Sequence, residues 1–121
     1  MTENLKTKQY DLEERTAVFA ERCRDLVKKL TKSIANIEYG KQLIRSSGSQ
    51  SANYIEANEA LSKKDFIMRI KICRKETKES CLWLRLIDTG GDNNMEKERD
   101  GLLAEAVELR KIFTAILNKS N

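Results

Sequence analysis

No proline occurs anywhere in the 121 residues of this chain, and only five residues are glycine. Two of those glycines are adjacent, in the run TGGDNN from Thr89 to Asn94. Tight β-hairpins draw on glycine and turn-forming pairs at every reversal, so a sheet built from many short strands has almost no turn material here. Helices face the opposite constraint, because proline is the residue that breaks them. The chain is therefore expected to be all-α, and its length suits one domain with a single core.

Apolar spacing divides the chain into four helices. Tyr10-Asp11 is expected to open the first, with Asp11 as N-cap and Glu14 completing a capping box. Leu12, Thr16, Phe19, Cys23, Leu26 and Leu30 then step by threes and fours along one face. A second helix, 34–61, carries Ile34, Ile37, Leu43, Ile44, Tyr54, Ile55 and Leu61, starting near Ser33. Ser62 is positioned to cap a third helix over 63–88, whose core stripe reads Phe66, Ile70, Cys73, Thr77, Cys81, Leu84 and Ile87. The glycine pair closes it, and a fourth helix over 95–118 keeps Leu102, Ala106, Leu109, Phe113 and Ile116 in register. Four such helices on short connections predict an antiparallel up-down-up-down four-helix bundle.

The second helix breaks the pattern at RSSGSQS, Arg45 to Ser51. At about 100° per residue, Leu43, Ser47, Ser51, Tyr54, Ile55, Asn58 and Leu61 share the expected inward face. Ser47 and Ser51 there, with Gly48 beside them, predict close helix approach, with hydroxyls bonding back to carbonyls one turn earlier. Gln42, Ser46, Ser49, Asn53 and Glu56 form a second stripe expected to point away from the core, with Arg45 at its edge. Short amides and hydroxyls make directional bonds at small entropic cost. Solvated surface, subunit contact and ligand-facing surface are all open readings of that stripe.

The run from Gln42 to Ser80 resembles the signature of the four-helix bundle proteins encoded in intervening sequences of bacterial 23S ribosomal RNA genes. Gln42, Leu43, Arg45, Ser46, Ser49, Asn53, Glu56, Phe66, Glu76 and Ser80 carry the likeness, which extends from Tyr10 to Asp88. Thr31 stands where relatives often have proline and Ala57 where many have glycine; both are expected to favour unbroken helix. The resemblance implies a four-helix bundle that assembles as a ring-like homopentamer, in a family whose members mostly lack an assigned activity. It is also similar to the accessory protein of diversity-generating retroelements, whose basic surface is associated with nucleic acid.

The third helix points to assembly by itself. Met68, Ile72, Trp83 and Leu86 fall about 200–260° from its core stripe and form a second apolar stripe. One bundle needs only one buried stripe per helix, so these four are the candidate oligomer interface. Between the stripes lie Lys64, Lys71, Arg74, Lys75, Lys78 and Arg85, the candidate contacts for RNA or DNA. From Lys63 to Lys78 there are seven basic and two acidic residues. The whole chain carries +4, a mild excess compatible with a polyanionic partner. A purely structural or protein-interaction scaffold is the alternative, with the lysines serving solubility.

Chemistry is constrained by an absence: the chain has no histidine. That removes Ser-His-Asp and Cys-His nucleophiles and the Glu-x-x-His pairs of di-metal bundles. No catalytic residue, metal or cofactor is expected. Cys23, Cys73 and Cys81 are odd in number and lack CxxC spacing, so three reduced thiols in a cytoplasmic protein are expected. No run approaches the roughly 18 apolar residues of a membrane span.

Overall fold

The structure, a computed structural model, describes the backbone from Thr2 to Ser120 and the side chains from Leu12 to Ser120. Four helices fill it: α1 (Thr2–Lys29), α2 (Ile34–Asn58), α3 (Lys63–Leu86) and α4 (Asn93–Ser120). Each packs on two neighbours, in the ring order α1–α2–α3–α4–α1, and among the described residues no pair meets across the diagonal. Among the described residues the α2–α3 seam is the most extensive and the α1–α4 seam the least. This is an all-α up-down-up-down bundle.

Helix ends follow local chemistry. Ser33 accepts the backbone N–H of Asn36 at 3.1 Å, and Ser62 accepts that of Asp65 at 3.1 Å. Each satisfies a donor that an α-helix leaves unpaired in its first turn. Asp92 does the same for Met95 at 2.9 Å, which starts α4 at Asn93, two residues before the expected position. Gly90 and Gly91 both have positive φ, 66° and 80°, where a side chain would be strained.

The first helix departs most from expectation. It runs unbroken from Thr2 through Asp11, because nothing between them interrupts a helix. Asp11 is thus interior to the helix rather than at its start, and its side chain lies outside the described residues. At the other junction α2 stops at Asn58, short of 61. Ala57 continues α2, whereas Thr31 falls in the α1–α2 connection rather than within a helix.

The core is built from the expected faces of α1, α3 and α4. Leu12, Phe19, Cys23, Leu26, Ile70, Cys73, Leu84, Leu102, Leu109 and Phe113 are buried, and Tyr54 meets Phe113 with ring centroids 6.2 Å apart. From α2 only Leu43, Tyr54 and Ala57 join the apolar core. Ile34, Ile37, Ile44, Ile55 and Leu61 are exposed. Ile55 and Leu61 were expected inward; Ile55 lies on the outer flank beyond Ser51, and Leu61 sits past the helix end.

Asn36 braces one end of the bundle. Its side-chain amide donates to the carbonyls of Thr31 at 3.0 Å and Asp88 at 2.9 Å, and its oxygen accepts the Asp88 N–H at 2.8 Å. One buried side chain thereby joins the α1–α2 and α3–α4 connections. No helix of the described residues is long and apolar enough to cross a membrane.

Candidate functional site

The serine-rich part of α2 faces two neighbours at once. Toward α1, the Ser51 and Thr16 hydroxyls lie 3.0 Å apart, and Gln50 donates to the Thr16 carbonyl at 2.8 Å. Ser47 donates to the Ile44 carbonyl at 3.3 Å, the back-bonding expected of it. Toward α3, the Ser46 and Ser80 hydroxyls lie 2.7 Å apart and are fully buried. Arg69 donates to Asn53 at 3.0 Å, and Asn53 donates to the Ser49 carbonyl at 2.9 Å.

The stripe expected to point away from the core therefore lies largely in the α2–α3 seam. Its residues sit about 60–140° from Leu43 on the side facing α3, and a flanking helix covers the inner part of that range. Ser46 is buried there, Ser49 and Asn53 are half-buried, and Gln42, Arg45 and Glu56 remain exposed. Arg45 spans the seam, donating to Glu76 at 2.8 Å, Glu79 at 2.9 Å and Gln42 at 3.3 Å.

The outer face of α3 is different in kind. Met68, Leu82 and Leu86 are 50%, 45% and 39% exposed. Leu82, absent from the expected stripe, belongs to it by position. Ile72 is half-buried, and Trp83 turns into the seam, stacking on Tyr39 with centroids 6.0 Å apart. Lys75 lies within the apolar stripe, while Lys64, Lys71, Lys78 and Arg85, seven residues apart in turn, form a row beside it. All five are exposed and Arg74 is half-buried. None of the six makes an ion pair among the described residues; the acids of α3 pair elsewhere, Asp65 with Arg69 and Glu76 and Glu79 with Arg45.

A second exposed apolar face runs along α2 beside α1. Ile37, Ile44 and Ile55 are 44–46% exposed, and Gly48 lies between the latter two. Glycine inside a helix costs about 1 kcal/mol relative to alanine. At Gly40 that cost has a reason, because a Cβ would sit 2.9 Å from the Val27 Cγ1. At Gly48 an added Cβ would meet nothing within 4 Å. Sequence spacing grouped Gly48 with the tightly packed serines; its position in open space was not legible.

Reactive chemistry is sparse. Burial pushes the Cys23 and Cys73 thiols up to about 12, and it raises Cys81 as well. Among the described residues no group of three or more Cys, Asp or Glu side chains could hold a metal ion.

Comparison with known proteins agrees with the geometry. The family described as 23S rRNA-intervening sequence protein matches residues 8–115. A crystal structure of a protein of unknown function, from the S23 ribosomal protein family of Bacteroides thetaiotaomicron, superimposes with a TM-score of 0.73 at 26% identity. The match covers 87% of this chain and 96% of that one. No protein of curated function matches.

Proposed function

We propose, from the premise that this chain belongs to the 23S rRNA-intervening sequence protein family, that it is a non-catalytic, self-associating bundle that binds RNA or DNA through the outer face of α3. Five copies are the number its resemblance implies. One observation carries the reading. The three acidic residues of α3 are all engaged by Arg45 and Arg69, so the outer cations have no neutralising partner on their own helix. A row repeating every seven residues recurs about every 10.5 Å along the helix. Lysine ammoniums on flexible stems can follow a phosphate backbone without demanding a particular sequence.

Aromatic side chains do not contribute to this face, since Trp83 and Tyr39 are stacked on each other in the seam. Binding is thus expected to be salt-sensitive and indifferent to base identity. The same feature favours the second reading, a protein scaffold without nucleic acid. Fluorescence anisotropy with labelled RNA and DNA across a salt series separates the two. Changing Lys71, Arg74 and Lys78 together to Gln should weaken binding and reduce the salt slope by about 2–3. Unchanged affinity in that variant, or none in the wild type, leaves the scaffold reading.

A further inference from the structure

We infer that the phosphate backbone of a nucleic-acid strand seats in the groove between α3 and α4, where Arg110 and Thr114 of α4 form the wall opposite Arg74 and Lys78 of α3. This deepens, and rests on, the nucleic-acid reading above, which takes its contacts from α3 alone. What lies across the core stripe fixes each flank. On α3, Arg69, Glu76 and Ser80 face α2, and Arg74, Lys78 and Arg85 lie about 160° round from them, on the flank toward α4. On α4, Glu98 and Glu105 pair with Arg22 and Arg15 of α1, and Arg110 lies about 130° away from those acids. Arg110 reaches across the seam to the Cys81 thiol of α3. Along this side of α4, Val107, Arg110, Lys111, Thr114, Ala115 and Asn118 line a shallow depression of about 400 Å³.

Neither flank carries an acid. The acidic residues of α3 are engaged by Arg45 and Arg69, and after Glu108 the chain has three basic residues and no acidic one. Because the two helices are antiparallel, the contact of Cys81 with Arg110 sets Lys78 level with Thr114 and Arg74 level with Asn118. Arg74 and Arg110 are half-buried and make no ion pair among the described residues. A cation held partly out of water attracts an anion more strongly than a fully solvated one. The guanidinium fork also matches the paired oxygens of a phosphate. The polar groups along the groove are cations, a hydroxyl and an amide, and phosphate oxygens accept from all of them. No aromatic ring lines the depression to stack a base, so the strand lies with its phosphates inward and its bases toward water.

The test follows the anisotropy of a labelled single-stranded RNA across a salt series, with far-UV circular dichroism on each full-length variant. Arg110→Gln should weaken binding and lower the salt slope by about 0.7, the value of one phosphate contact to a single strand. Asn118→Lys probes the same wall at an exposed position, where folding is not at stake; it should tighten binding and raise the slope by about 0.7. Lys32→Gln combined with Lys41→Gln removes two charges from the α1–α2 side and should weaken binding less than Arg110→Gln does. If that control weakens binding as much, the effect is one of net charge and the groove is overturned. Affinity unchanged in both Arg110→Gln and Asn118→Lys, with binding still lost on changing Lys71, Arg74 and Lys78, overturns this inference and leaves the α3 face standing. A wild type that binds no RNA removes the nucleic-acid reading and this inference with it.

Discussion

Replacing Arg45 with Met asks how much the α2–α3 seam depends on one cation. The Glu76 side chain is only 5% exposed, whereas Arg45 is 51% exposed and Glu79 37%. Arg45→Met keeps the aliphatic stem, which packs along the helix, and removes three hydrogen bonds. A fully exposed pair is worth about 0–1 kcal/mol. Breaking a fully buried pair costs about 3–5 kcal/mol, because a charge is left without a partner. Here one partner is buried and the other half in water, so the loss should be about 2–3 kcal/mol. Most of that loss comes from the stranded carboxylate. Converting Glu76 to Gln in the Arg45→Met background should therefore recover about half of it, although Glu76→Gln alone destabilises. Urea unfolding of the four proteins measures the coupling directly. A loss below about 0.5 kcal/mol for Arg45→Met, or no recovery in the double variant, would show that Glu76 is adequately solvated and the reasoning wrong.

Two further outcomes follow from the geometry. Asn36→Ala removes three hydrogen bonds and leaves the Asp88 N–H without its acceptor; a loss of about 2–3 kcal/mol is expected, with faster amide exchange at Asp88 while mid-helix amides keep their order of protection. The buried thiols give a pH test: native protein should react with a thiol reagent at Cys81 at most, and at all three cysteines in urea. Because burial raises Cys73 from 9.0 to about 12, its contribution is complete below about pH 9 and lost as the pH climbs toward 12. The stability gap between wild type and Cys73→Ala should narrow over that interval; a constant gap would contradict it.

Three helices were legible because their core residues repeat in one stripe. Leu12 to Leu30, Ile70 to Ile87 and Leu102 to Phe113 needed only the period of a helix to be placed, and Ser33 and Ser62 announced their own caps. The second helix resisted for a physical reason. Periodicity gives each side chain an angle but does not say which angles a neighbour covers. In a ring of four helices both flanks of the core stripe are covered, so Ser46 and Asn53 read as outward when they are packed against α3. Trp83 went the same way, from expected surface to a stack on Tyr39. Asn36 carried no signal at all, since its partners are backbone atoms, one of them 52 residues away. Gly48 could be seen but not interpreted, because a glycine answering a neighbouring helix and one facing open space look alike in sequence.

The alternation of helix directions has a consequence beyond packing. The start of α1, the end of α4 and the α2–α3 connection lie at one end of the bundle, and the turns tied by Asn36 lie at the other. A label placed beside the start of α1 or beside the end of α4 would therefore decorate the same end of the bundle, opposite the tied turns.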